Sequence, residues 1–142
     1  KLDMAADFGA DYAMKPDTPD ISHIIKSKTH NRGVDFSFDV VGIEDTANFC
    51  IDNTRKGGTV VLVGNLSPQI KFPLQKVVTQ EMKVLGSCAI KGEYELVLEL
   101  LAGKKVEVNK LISAVAPLSE GAAWFERLYN KEKGLNKVIL TP

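Results

Sequence analysis

Charge of one sign, long hydrophobic runs and a cysteine framework are all missing from this sequence. Its 142 residues carry 18 Lys plus Arg against 18 Asp plus Glu, a formal net charge of zero. That balance removes the electrostatic footprint by which nucleic acid or an anionic membrane would be held. No apolar run approaches the roughly 18 residues a spanning helix needs, and there is no signal-peptide pattern or low-complexity tract. Only two cysteines occur, Cys50 and Cys88, each inside an apolar pattern. Free core thiols in a cytoplasmic protein are therefore expected rather than a disulfide. His23 and His30 lie on or after a surface helix with no Cys at ligand spacing, which argues against a metal on either. A 44% hydrophobic and 25% charged composition is that of a globular protein, and the length suits one domain with a sizeable core.

What is present is organised around G-V-D-F-S-F-D-V-V-G at Gly33–Gly42 and G-G-T-V-V-L-V-G at Gly57–Gly64. Val/Phe-rich runs bounded by glycine suit parallel strands buried on both faces. The helix-like segment Glu44–Lys56 between them is long enough for a right-handed crossover and too long for a hairpin. Both strands end in Val-Gly, leaving bare backbone at their carboxyl ends, where ligands of open α/β sheets bind. The expected class is α/β, with a nucleotide-type parallel sheet or part of one.

In chain order, Lys1–Phe8 reads as the end of a helix stopped by Gly9, and the first residue is Lys1, not Met. Asp11–Met14 is a short strand candidate. Thr18, Pro19 and Asp20 form a start signal for a helix whose apolar face is Ile21, Ile24 and Ile25. Leu74–Gln80 suits a short helix or turn, Met82–Ile90 a strand whose Gly86 suggests close backbone approach, and Glu93–Ala102 an amphipathic helix. Lys104–Ala116 reads as an edge segment broken by Pro117. Ser119 is placed to cap a last helix with Trp124 and Phe125 in its core, before a closing strand at Asn136–Leu140.

Taken together, K-L-D-M-A-A-D-F-G-A-D, G-V-D-F-S-F-D-V-V-G, G-G-T-V-V-L-V-G, V-L-G-S and P-L-S-E-G-A-A-W-F-E-R-L-Y…K-V-I-L-T-P resemble the medium-chain alcohol dehydrogenase superfamily. The closing pattern is most similar to the polyol branch, the sorbitol- or iditol-type enzymes. The resemblance runs in order over essentially the whole chain. It implies a partial doubly wound, Rossmann-type parallel sheet with flanking helices, lacking its first two strands. It also implies a C-terminal portion of an NAD- or NADP-linked enzyme acting on a polyol or secondary alcohol. The glycine-rich pyrophosphate turn and the zinc ligands of that family are not in this sequence, so the 142 residues alone are expected to be inactive. Residues 1–103 correspond to the end of the dinucleotide-binding domain and 104–142 to a segment returning toward the catalytic domain. A dimer or tetramer is implied as well.

The same resemblance assigns cofactor contacts. Val63 and Gly64 fall where the loop approaches nicotinamide and its ribose. Ser87 and Ala89 fall where main-chain groups bond the carboxamide, which needs one donor and one acceptor at fixed spacing. Val41 and Gly42 flank the adenosine side, and Lys137 falls where a basic residue reaches the pyrophosphate. Catalytic and metal-ligating residues are expected to be absent. Asp35 and Asp39 share a strand face by their even spacing. Asp35 suits a turn or strand start, and Asp39 is placed to bond neighbouring backbone or a sugar hydroxyl. Cys88 is expected to pack rather than react. Alternative readings are a zinc-free quinone or enoyl reductase of the same superfamily, and a non-catalytic nucleotide-binding or dimerisation module.

One arrangement follows from strand order. In the resembled 3-2-1-4-5-6 sheet, with neighbours about 4.8 Å apart, the third strand stands roughly 14 Å from the fourth. Asp11–Met14 is therefore not expected to pair with Val34–Val41, whereas Val34–Val41, Thr59–Val63 and Met82–Ile90 should run parallel in sequence order.

Overall fold

The computed structural model describes residues 1–142, which divide into two compact units: Met14–Lys91, and Lys1–Ala13 together with Gly92–Pro142. In the first, β1 (Val34–Asp39), β2 (Thr54–Leu62) and β3 (Lys83–Gly86) form a parallel sheet in the order β1-β2-β3. The crossover expected between β1 and β2 is α3 (Glu44–Asn53), whose Ala47 and Ile51 are buried with Val60 of β2. Burial of two such aliphatic side chains, Ile51 and Val60, is worth about 1.5–3 kcal/mol each. Ile51→Ala would open the middle of this small core.

Several boundaries differ from expectation, each for a local reason. Asp11–Met14 is not a strand, since no neighbouring strand runs beside it, and it does not pair with β1. Pro19 and Asp20 form a turn, and Asp20 (φ 55°) precedes α2 (Ile21–Lys28) without a side-chain cap. Asp tolerates that left-handed conformation better than most residues. Helix α3 stops at Asn53, not Lys56, because Thr54 already bonds across to β1. Between the rungs Val34↔Thr54 and Phe36↔Thr59 the longer strand bulges at Gly57, whose N–H donates to Gln80 O at 2.8 Å. The short helix is α4 (Leu74–Thr79), and the strand expected over Met82–Ile90 contracts to β3.

Strand β1 is also not buried on both faces. Ser37 and Asp39 point toward α3, where the Ser37 hydroxyl meets the Thr54 hydroxyl at 2.8 Å. On the opposite face Phe36 and Phe38 are 63% and 62% exposed. The helix that packs on this sheet is α3, and it covers one side only.

The other unit contains α1 (Leu2–Asp7), α5 (Tyr94–Ala102), β4 (Ile112–Pro117), α6 (Gly121–Tyr129) and β5 (Lys137–Thr141). Strands β4 and β5 are parallel, and the Asn136 N–H donates to Ser113 Oγ at 2.8 Å. Pro117 ends β4 and a 3-10 turn over Leu118–Glu120 leads into α6, so Ser119 supplies no side-chain cap. Phe125 is 71% exposed rather than core. Trp124 lies under the Arg127 guanidinium, 4.0 Å from its ring centre, and its Nε1–H donates to Glu120 at 3.1 Å. The core is thin throughout: Ala47, Ile51, Val60 and Ala116 are its buried hydrophobic side chains. No helix is long and apolar enough to cross a membrane.

Candidate functional site

The last rungs of the sheet pair Asp39 with Leu62 and Leu62 with Gly86. Three strands therefore end in one row, and Val41–Gly42, Val63–Gly64 and Ser87–Ala89 leave from the same edge. The carboxyl edge of a parallel sheet is where open α/β folds take ligands.

The first two of these exits interlock. The Asp39 carbonyl accepts from Val63 N (2.8 Å) and Gly64 N (2.9 Å), while the Gly42 carbonyl accepts from Ser67 N at 2.8 Å. A β-carbon on Gly42 would stand 2.1 Å from the carbonyl carbon of Gly64, and one on Gly64 would stand 2.2 Å from that of Val41. Those glycines are required by backbone packed on backbone, with Gly42 also at φ +79°. The loop after Gly64 is tied to the crossover helix: Lys71 N donates to Glu44 Oε2 at 2.9 Å and Asn48 Nδ2 to Lys71 O at 3.2 Å. The third exit is held more loosely. Ser87 N bonds Leu62 O at 2.9 Å, Ala89 takes φ 51°, and nothing lies within 4 Å of a β-carbon on Gly86.

Asp39 closes β1 at this edge and is 2% exposed. Its carboxylate accepts from Val41 N (3.0 Å) and Gly42 N (3.1 and 3.2 Å). Burial pushes its pKa up, but the bonds from Val41, Gly42 and the Thr46 hydroxyl outweigh burial and hold it below the usual aspartate value. Burial raises the Cys50 thiol, with the Ser37 hydroxyl opposing and the Asp39 charge reinforcing the rise, so Cys50 stays protonated near neutrality. Asp35 is instead exposed, and its bond to Arg55 lowers its carboxyl.

Two clefts adjoin Asp39. One of about 540 Å³ is mostly apolar, with Met14, Pro16, Phe38, Val41 and Phe49 in its wall. A smaller one, about 180 Å³, lies between Gly42, Gly64, Asn65 and Ser67. The structure thus brings Val41, Gly42, Val63 and Gly64 into one contact group, with Ser87 and Ala89 on the next strand end. Lys137 opens β5 in the other unit as an exposed cation. Cys88 is exposed rather than packed, because β3 ends before it. No group of three or more His, Cys, Asp or Glu side chains is placed to hold a metal ion. Sequence reasoning missed the walls Met14 and Pro16, which come from a segment distant in the chain, and Phe49 of α3. The hydrogen bonds that the Asp39 carboxylate accepts from Val41 N and Gly42 N suit the D-x-V-G spacing, that of an Asx-type turn.

Comparison with known proteins gives a consistent result. A family profile for zinc-binding dehydrogenases matches residues 1–103. The sorbitol dehydrogenase of Halalkalibacterium halodurans is 32% identical over 146 residues, covering 100% of this chain and 41% of that protein. A probable D-xylulose reductase A of Emericella nidulans is 27% identical with the same two coverages. Among solved structures, the alcohol dehydrogenase TADH from Thermus sp. ATN1 superimposes with a TM-score of 0.89 at 27% identity, over 99% of this chain and 40% of that one. The chain therefore spans about 40% of the length of these relatives.

Proposed function

The chain belongs to the zinc-binding dehydrogenase family, and from that premise we propose that it forms the nicotinamide-side, C-terminal part of an NAD- or NADP-dependent oxidoreductase acting on a polyol or secondary alcohol. The observation that carries this reading is the row of three strand ends, with backbone groups of Val41–Gly42, Val63–Gly64 and Ser87–Ala89 at one edge. In it, Val63 and Gly64 meet the nicotinamide and its ribose, and Ser87 and Ala89 bond the carboxamide. Val41 offers an apolar wall to the adenine, for which a cleft of about 540 Å³ lined by Phe38, Val40 and Phe49 is large enough. Lys137 is proposed for the pyrophosphate on its exposed charge alone. When bound, the nicotinamide accepts the hydride. This chain's residues bind and orient it. The zinc that the family name implies finds no donor set here, so no step is routed through it.

Residues 1–103 are read as the cofactor part and 104–142 as the segment leading to the catalytic part. The free thiols Cys50 and Cys88 suit the cytoplasm. Exposed apolar side chains such as Leu85, Tyr94 and Leu98 suit assembly as a dimer or tetramer. Calorimetry of the gene product that carries this chain should show binding of NAD⁺ or NADP⁺, with hydride transfer from at least one member of a polyol panel. The 142 residues alone, given zinc, cofactor and the same panel, should give none. A gene product that binds neither cofactor would remove the reading.

A further inference from the structure

Asp39 has no place in the cofactor contacts proposed above, yet it is the most heavily bonded residue of the site. A carboxylate buried to this degree costs several kcal/mol unless its lone pairs are met. No cation pairs with it. Backbone N–H groups of Val41 and Gly42 meet it instead, with the Thr46 hydroxyl, which also bonds Ile43 O, beside them. Its own carbonyl meanwhile accepts from Val63 N and Gly64 N. One residue thus grips the β1 exit with its side chain and the β2 exit with its main chain.

We propose that Asp39 is a positioning residue, setting the separation of the Val41–Gly42 and Val63–Gly64 turns so that one cofactor can span both. This rests on the cofactor reading of those turns. An ionised carboxylate is acceptor-only, and both backbone partners, Val41 N and Gly42 N, offer it a donor. Hydrogen bonds to an ionised acceptor are stronger than neutral ones, which suits a turn whose place must not drift. Asparagine keeps the size and only half the match: its carbonyl can keep the two Oδ1 bonds, but its NH2 brings N–H donors to face Gly42 N where Oδ2 now accepts, and the charge is lost. The two glycines leave no slack to absorb the change, because their backbones already touch.

The test compares ligands that touch one turn with a ligand that touches both. In the full gene product, Asp39→Asn should weaken whichever of NAD⁺ and NADP⁺ the wild type binds by about tenfold, the worth of one charge-assisted hydrogen bond. AMP, which reaches only the Val41 side, should lose clearly less. Thr46→Val, which removes the hydroxyl beside the carboxylate together with its bonds to Ile43 at the start of α3, should weaken the dinucleotide more than AMP, and Thr46→Ser should restore it. The Thr46 pair keeps the test open if Asp39→Asn does not fold. Equal losses for AMP and dinucleotide would reduce Asp39 to general stabilisation and overturn the proposal, as would unchanged dinucleotide affinity in folded variants. A wild-type protein that binds AMP but neither dinucleotide would instead sink the cofactor reading on which the proposal stands.

Discussion

Gly42 and Gly64 each close a strand end with no room for a methyl group, whereas Gly86 closes the neighbouring strand with nothing within 4 Å of where a methyl would stand. The three glycines sit at one edge of one sheet and follow similar apolar runs. Their reasons differ. At the first two the chain itself occupies the space, and the glycine is a condition for the turns to interlock. At the third the protein leaves the space open, and the glycine matters only if something else comes to fill it. A glycine at a strand end is therefore compatible with ligand approach or with backbone approach, and the atoms around it decide between them.

The largest expected effect comes from breaking the interlocked pair. Gly64→Ala would force a methyl into the backbone of Val41 and Gly42, an overpacking cost of about 1–3 kcal/mol or more. Gly42→Ala adds a left-handed φ that alanine adopts only with strain, of order 1–3 kcal/mol again. Both should lower the thermal midpoint sharply, with Gly42→Ala the worse. It follows that replacing Gly64 by a larger residue is a poor probe of cofactor contact, since lost binding would report a disturbed turn. A Gly64→Ala protein with an unchanged midpoint would show that the two exits are not interlocked in solution.

The next effect separates Asp39 from the exposed acids. Its folded-state pKa is lowered, so its ionised form stabilises the protein above the unfolded value, and that contribution is lost as pH falls through the folded one. The thermal midpoint should therefore drop on acidification, and Asp39→Asn should start lower at neutral pH and show a shallower acid limb. The carboxyls of Asp35 and Glu132 are lowered too, chiefly by bonds to Arg55 and Arg127, but both are solvent-screened surface pairs. Asp35→Asn and Glu132→Gln should leave the acid limb nearly unchanged. An acid limb steeper in Asp39→Asn than in the wild type would contradict the bonding described for that carboxylate.

How far the sequence could be read follows the same divide. The β1-α3-β2 unit was legible because apolar runs, glycine boundaries and crossover length are local signals, and β3 followed from its own apolar run. Element ends were less so: Thr54–Lys56 has no helix-breaking residue, and only its pairing with β1 draws it into β2. Phe36 and Phe38 carry the pattern of a strand buried on both faces, but burial depends on what packs there, and α3 packs on one side. At the site, the Val-Gly exits could be named in advance. Asp39 could be placed near backbone, but not as the link between two turns, because that link needs the parallel register that sets Asp39 beside Leu62.

The smallest effect on the fold is the sharpest test of the function. Gly86 is not in the left-handed region and its surroundings are open, so Gly86→Ala meets neither strain nor collision. Its thermal midpoint should be unchanged or slightly raised, since alanine reduces the freedom of the unfolded chain by an amount worth about 0.4–1 kcal/mol. If the carboxamide lies against this strand end and bonds Ser87 and Ala89, the new methyl stands in its path, and NAD⁺ or NADP⁺ affinity should fall while stability does not. AMP, which does not extend to the nicotinamide, should bind as before. That pattern cannot be produced by a disturbed fold, which is what makes the open glycine more informative than the two closed ones. Unchanged dinucleotide affinity in Gly86→Ala would take the β3 exit, with Ser87 and Ala89, out of the crevice and leave the cofactor to the interlocked turns alone.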